Sequence, residues 1–535
     1  MYRCRGLDRA LDRDSTIEDV ASRRRFGCGR LGPAALVVTL LAIAGNACDR
    51  RSEPIVVALR SSIETLDPHT HNELMVWSLL SNFYDALVRF SPTMTLEPSL
   101  ATSWERVDFR TTRFRLRSGV RFHDGTVFGA EDVVASFRRA SGHPRSGIKH
   151  YLSGIKDVRA ENEYSLIVET ETAAPTLLNR LAYLFVVPRG EEGLAEITDP
   201  VGTGPYRYAG TRSDGSVVGR AFGGWRERPP IEEVRFIGID DETERARRFV
   251  AGDVDLAVAL PDLQTADIQQ SPGRRLMTQP ILGVRMVVVV PRAAQGTARK
   301  ALEDPRVRRA MLAAIDRQRL ADRVYQGNAT VASQYVPPVV FGYEPELRPV
   351  PYDPREARRL LAEAGFAGGF EVVLGHGHIP ERLESCLIED LDRIGVRLRP
   401  AAFPFSELVK RVRAEEIPLM LFSRSSLTGD ASEFLDSVIH SRDPARGLGG
   451  ENYHGFSAPI VDGLIESADA ELDSGRRLSL LQEAQRRVLD DLPLLPLVVQ
   501  WEQLGVSDRV EVVTRHDGWL WVAAFRWAGN GDAVR

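Results

Sequence analysis

Between Thr112 and Ala140 the chain alternates apolar with charged positions and then changes period. Phe114 and Leu116, and past a Ser118-Gly119 break Val120 and Phe122, alternate with polar residues as a half-buried strand does. Asp124-Gly125 suits a tight turn with positive φ, and Val127-Phe128 opens a returning strand. Gly129 stands where a helix N-cap belongs, and Glu131 and Asp132 fall in the first turn, where the helix dipole favours acid. Val133, Val134 and Phe137 then supply one apolar face. The stretch predicts strand, turn, strand, helix.

A second pattern runs from Phe370 to Asp430. Phe370 to Leu374, Val396 to Arg399 and Pro418 to Ser423 read as strands. Between them, Glu381 to Ile394 (Leu383, Leu387, Leu391 and Ile394 on one side) and Phe405 to Val412 read as helices. Alternation at these lengths predicts a βαβαβ unit with a parallel sheet and right-handed crossovers. Ligands of such sheets bind outside the carboxyl ends of the strands. The polar run Arg424-Ser-Ser-Leu-Thr-Gly-Asp430, leaving the third strand, lies where that crevice belongs. Elsewhere Asp304-Pro305 and Asp353-Pro354 each start a helix with an acidic cap. The first of these should carry Val307, Met311 and Ile315 on its core face and end by Gly327.

Composition changes this picture little. At 535 residues the chain is long enough for two or three domains, and a formal net charge of -5 lacks the basic excess of a nucleic-acid binder. The N-terminus does add something. Arg23, Arg24, Arg25 and Arg30 precede an apolar run from Pro33 to Ala47, which is short for a bilayer span and right for a signal peptide. Gly45-Asn46-Ala47-Cys48 resembles a lipobox, which implies lipidation of Cys48, with Gly45 where Leu is usual; simple cleavage after Ala47 is the alternative. Beyond that point only Cys386 remains, so an intrachain disulfide framework is ruled out.

The string from Leu116 to Val133, LRSGVRFHDGTVFGAEDV, closely resembles the signature of the family 5 extracellular solute-binding proteins, the peptide- and nickel-type receptors of ABC importers. That family usually has Thr or Ser at the position of Gly129. Further matches are Leu66-Asp-Pro68, Tyr84-Asp-Ala-Leu87, Leu96 to Trp104, Gly202-Thr-Gly-Pro-Tyr206 and Gly252-Asp-Val-Asp255, so the likeness spans nearly all of 55–525. It implies an α/β, two-lobed fold of the periplasmic-binding-protein type (type II, with an extra subdomain) joined by a two-stranded hinge. The implied division is a leader and linker 1–52, a first lobe of 53–88, 198–288 and 500–535, an inserted subdomain 89–197, and a second lobe 289–499. Hinges are expected near Gln279–Pro291 and Leu497–Glu502.

By the same resemblance the function is ligand capture by cleft closure and delivery to an ABC permease and its ATPase, by a monomer that does no chemistry and needs no cofactor. In peptide-binding members an Asp in the 424–430 loop pairs with the ligand's α-amino group and an Arg six residues earlier shapes the pocket. Asp430 and Arg424 occupy those positions, with Ser426 and Leu427 between them; Leu427 replaces a frequent Trp. Ile63 and Glu64 are assigned to the opposite wall. Asp430→Ala is then expected to abolish peptide binding and leave the fold intact. The plainer reading is that Arg424 and Asp430 pair with each other, or that Asp430 caps a helix near Ser432. Oligosaccharides and metal chelates remain open as ligands. His69/His71 and His376/His378 lack the further ligands that a metal site needs, and His69 is expected at the surface. Trp501, Trp519, Trp521 and Trp527 read as core. Nucleophile-elbow, phosphate-loop and zinc-protease motifs are absent from the sequence, which leaves a metal-dependent hydrolase as a distant alternative; a transcription regulator is another, against which the missing helix-turn-helix segment and the export signal both count.

Overall fold

The computed structural model describes residues 53–260, 268 and 270–529. The chain divides into two compact units, Met1–Glu53 and Pro54–Arg535. The leader and Cys48 lie outside the described residues, and the sheets, helices and cleft all belong to the second unit.

One mixed sheet runs through this unit. At its centre the strands Arg274–Val289 and Leu494–Ser507 pair antiparallel over most of their length. Their register runs evenly from Arg274↔Ser507 to Pro280↔Trp501 and resumes at Val284↔Val499. Three residues thus face Gln500 alone, next to a proline that has no N–H to give the ladder. This irregularity marks the two-stranded crossing between lobes. On one side Leu256–Val258 joins Leu494–Ser507, followed by Ile55–Leu59, Glu233–Gly238, Val217–Ala221 and Tyr206–Thr211. On the other, Leu419–Ser425 lies antiparallel to Arg274–Val289 and parallel to Phe370–His376, which is parallel to Val396–Ala402.

The second side contains the expected βαβαβ unit. Phe370–His376 is its central strand: the chain steps outward to Val396–Ala402, then returns past it to Leu419–Ser425. Helices in crossovers of opposite direction must cover opposite faces. Accordingly Leu383, Leu387 and Leu391 of Glu381–Asp392 enter one core, and Leu408 and Val412 of Phe405–Arg413 enter another. The reversal of strand order falls between Phe370–His376 and Leu419–Ser425, which aims the loop after Ser425 at a crevice.

The signature stretch belongs to a separate antiparallel sheet of Ala101–Arg106, Thr111–Leu116, Ser165–Thr170 and Ile155–Asn162. Its strand stops at Leu116. The expected returning strand is only a single bridge, Arg121↔Val127, around the Asp124-Gly125 turn, where Gly125 has φ +92°. The alternation of Val120, Phe122 and Phe128 reflects burial of Phe122 and Phe128 against each other, at 6.2 Å, and not strand pairing. Helix Ala130–Gly142 starts as expected, with Asp132 accepting a hydrogen bond from the Gly129 N–H at 2.8 Å. His123 is buried and ties the signature to the first lobe: its Nδ1 accepts from Gly202 N at 3.2 Å and its Nε2 donates to Gly204 O at 3.0 Å. Burial lowers its pKa to about 4, so the ring is neutral. A side chain at Gly204 would collide with the Phe83 backbone. One helix differs from expectation. Pro305–Ala314 ends before Ile315, which is extended, and a new turn starts with Asp316 accepting from Arg319 N.

Candidate ligand-binding cleft between the lobes

The loop after Leu419–Ser425 touches both lobes. On its own side Ser426 N donates to Leu282 O of the crossing strand at 3.1 Å, and Phe341 and Ala431 bond around Asp430 in a one-residue bridge. Gly429 takes φ +68°, and a Cβ there would lie 3.1 Å from Met94 Cε of the other lobe. From that lobe Tyr183 Oη donates to Leu427 O at 2.5 Å and Asn179 Nδ2 to Thr428 O at 2.7 Å. Leu427 packs on the core of the first lobe.

The charges on this loop divide into two groups. Asp430 is 4 % exposed, and both carboxylate oxygens accept from Arg477, at 2.6 and 2.8 Å. One oxygen also accepts from Ser432 N at 3.0 Å. Arg477 in turn donates Nε to Ala468 O at 3.0 Å and lies over the Phe341 ring. Behind the pair, burial raises the carboxyls of Asp436 and Asp469, Asp469 to about 6, and the charge of Asp469 raises Asp436 further. Arg424, by contrast, faces two carboxylates loosely, Glu433 at 3.6 Å and Glu451 at 3.3 Å, and its hydrogen bond goes to Ser425 O. Burial alone would lower the Arg424 pKa; Glu433 and Glu451 more than reverse this and raise it. Burial pushes the Glu433 carboxyl up, against the pull of Arg424 and two hydrogen bonds from Thr428.

The core against which Leu427 packs is aromatic. Tyr151 stacks on Tyr183 at 4.7 Å, and Trp77 and Trp519 meet Tyr183 at 4.7 and 5.8 Å. His150 beside Tyr151 has its pKa lowered, first by burial and then by Arg424 across the cleft. A cavity of about 720 Å³ lies against this loop, lined by Met94, Asn179, Phe341, Gly429, Asp430 and Arg477 among others.

A family model described as bacterial extracellular solute-binding proteins, family 5 Middle, matches residues 95–445. The chain belongs to this family. It is 28% identical over 466 residues to heme-binding protein A of Haemophilus influenzae, covering 80% of this chain and 83% of the relative. It is 28% identical over 498 residues to di/tripeptide-binding protein 2 of Pseudomonas aeruginosa, covering 86% and 92%. The glutathione-binding protein GsiB of Escherichia coli K12 is 27% identical over 499 residues, covering 88% and 93%. In fold the chain resembles HbpA2 of Haemophilus parasuis, with TM-score 0.77, 24% identity and coverage of 89% and 100%. It also resembles DppA of Helicobacter pylori in complex with the peptide STSA, with TM-score 0.74, 21% identity and coverage of 90% and 99%. The two-lobed, hinged fold expected from sequence is therefore the one present.

Within this family 5 solute-binding protein, the residues expected in the site separate. Arg424, Ser426, Leu427 and Asp430 share the bridging loop, but Asp430 pairs with Arg477 and not with Arg424. Asp430→Ala would leave Arg477 buried without this partner. Ile63 is half-buried against the core of the first lobe, and Glu64 is exposed, 3.7 Å from His71. The sequence pattern does not single out Arg477, Glu433 or Glu451. Arg477 does carry a signal: with Leu481, Ala484 and Val488 it lies on the buried stripe of helix Ser474–Asp491, and a cation there needs a buried partner.

His69 is fully buried, not at the surface. It contacts Arg139 at 3.0 Å and Phe185 O at 2.8 Å beside the Asp67–Arg139 pair, with its pKa lowered by burial to about 4. His376 does have a carboxylate nearby, Glu384 at 2.9 Å, yet no group of three or more metal-ligating side chains exists among the described residues. Trp519, Trp521 and Trp527 pack on the core of the first lobe, where Trp519 also meets Tyr183. No helix among the described residues is long and apolar enough to cross a membrane.

Proposed function

We propose that this extracellular solute-binding protein captures short peptides between its lobes and hands them to the permease of an ABC importer. The observation that carries the reading is the 424–430 loop. It leaves a strand end at the reversal of sheet order, accepts hydrogen bonds from Tyr183 and Asn179 through its main-chain carbonyls, and borders the cavity between the lobes at Gly429 and Asp430. A peptide offers what such a surface can use: charged ends, main-chain hydrogen-bonding groups and apolar side chains. Relatives named for di/tripeptides and for glutathione support the class. Ile63 and Glu64 would face the ligand from the first lobe, and Ser426 and Leu427 from the second. Closure stabilises the bound form only so far as the ligand binds that form better than the open one. The chain works as a monomer without a cofactor and without altering its ligand. Its leader directs export, with anchoring through Cys48.

Native mass spectrometry of the exported, purified protein before and after denaturation tests this. Release of a mass series that fragments as short peptides is the expected result. Release of a sugar, a metal chelate or a haem-like chromophore would contradict the peptide reading and leave the receptor role standing.

A further inference from the structure

We infer that the turn at residues 91–95 of the first lobe is a latch: it seats Met94 on Gly429 and, with Asn179 and Tyr183, holds the two lobes together around a captured solute. This goes beyond the peptide reading and is independent of what the solute is. The observation that points to it is a strained residue. Met94 has φ +66°, in the left-handed region that few residues other than glycine adopt. Its surroundings enforce that conformation. Ser91 N donates to Thr95 O at 2.8 Å and Met94 N to Ser91 O at 3.1 Å. Ser91 Oγ accepts from the N–H groups of Thr93 and Thr95, at 3.2 and 3.0 Å. From the C-terminal segment of the same lobe, His516 N donates to Pro92 O at 3.0 Å and Arg515 Nη2 to Phe90 O at 2.9 Å. Strain persists where a structure over-determines it, and it gathers at clamps and switches. Here the result is a half-buried methionine that packs on two separate cores, that of the first lobe and the second-lobe core containing Tyr335 and Phe434.

The partner of Met94 is equally particular. Gly429 has φ +68°, and a Cβ there would lie 3.1 Å from Met94 Cε, so glycine permits both the turn and the close approach. The two residues before it are also held from the first lobe, Leu427 O by Tyr183 Oη and Thr428 O by Asn179 Nδ2. Three consecutive residues of one loop are thus gripped, two through main-chain carbonyls and one by apolar contact. The lobes are joined by the crossing strands Arg274–Val289 and Leu494–Ser507, so rotation about that crossing parts all three contacts together. The cavity of about 720 Å³ is divided in the same way, with Met94, Leu96 and Asn179 on one side and Phe341, Gly429 and Leu478 on the other. The latch therefore sets how long a captured solute stays more than how fast it enters.

The test is the release of a bound tripeptide, the strongest binder from a mixed library, followed by stopped-flow competition. Met94→Gly removes the contact and relieves the strain. It should release the tripeptide about fivefold faster, the order expected for one half-buried methionine contact, with association little changed. Met94→Leu, of similar volume, should restore most of the retention. Tyr183→Phe should also speed release, although Tyr183 does not line the cavity. Gly429→Ala should do the same, and combined with Met94→Gly should cost less than the sum of the two. If Met94→Gly folds poorly, Met94→Ala is read in its place. A wild-type release rate in the Met94 variant overturns the inference. So does faster release there with none in Tyr183→Phe, because the methionine then acts by touching the solute. Should no tripeptide bind, the peptide reading fails by itself, and the ligand-free wild-type and Met94→Gly proteins are compared by small-angle X-ray scattering. A larger radius of gyration in the variant supports the latch, and identical curves overturn it.

Discussion

Two ion clusters stand on the same loop, six residues apart, and they are built differently. The one at Asp430 is short, bidentate and buried, and both members of the pair are fully engaged. The one at Arg424 is long and loosely paired, with Glu433 at 3.6 Å and Glu451 at 3.3 Å. Charge at a cleft is therefore a poor guide to binding unless its partners are counted. The tight pair holds the loop in place, and the looser cluster fixes it less firmly. Asp67–Arg139 repeats the first design elsewhere: a 2.5 Å contact between two buried side chains, extended by Ile197 N, which fastens helix Ala130–Gly142 to the Leu66-Asp-Pro68 turn.

The largest effect should come from breaking the closed pair. Asp430→Ala leaves Arg477 buried without its bidentate partner, and chemical denaturation should show a loss of about 3–5 kcal/mol. A variant as stable as wild type that has lost only binding would return Asp430 to the ligand site. The second effect separates the clusters by pH. Burial raises the Glu433 carboxyl, so it takes up a proton while ordinary carboxylates are still ionised. Ionising it costs more in the folded protein than in the unfolded chain, so stability is lost as pH rises from the ordinary carboxylate range through the raised value, by at most about 1.4 kcal/mol per pH unit for one proton. Chemical denaturation across that range would show this slope, and Glu433→Gln should flatten it. The smallest effect concerns closure. Tyr183→Phe removes the donor to Leu427 O across the lobes, which should weaken ligand binding by about 1 kcal/mol, or roughly fivefold, with little change in the stability of the ligand-free protein.

Much of the scaffold is legible from sequence because its signals are local. The βαβαβ unit follows from periods that change every few residues, and the cap at Gly129 and the turn at Gly125 follow from residue chemistry at single positions. The Val120–Phe122 alternation misleads because burial and strand pairing leave the same two-residue period. What the sequence hides is partnership at a distance. Arg477 is 47 residues from Asp430, and Arg139 is 70 from His69, so neither the neutralisation of one nor the burial of the other can be read from its neighbours. The loop itself is located by the rule that ligands gather at strand ends. Which of its charges remains open is a property of the packed molecule.

The most direct test of the charge assignment is a crystal structure of the protein with its captured ligand. The ligand should lie between the lobes against the 424–430 loop, with the Asp430–Arg477 pair intact. A ligand group seated on Asp430, with Arg477 swung away, would contradict it.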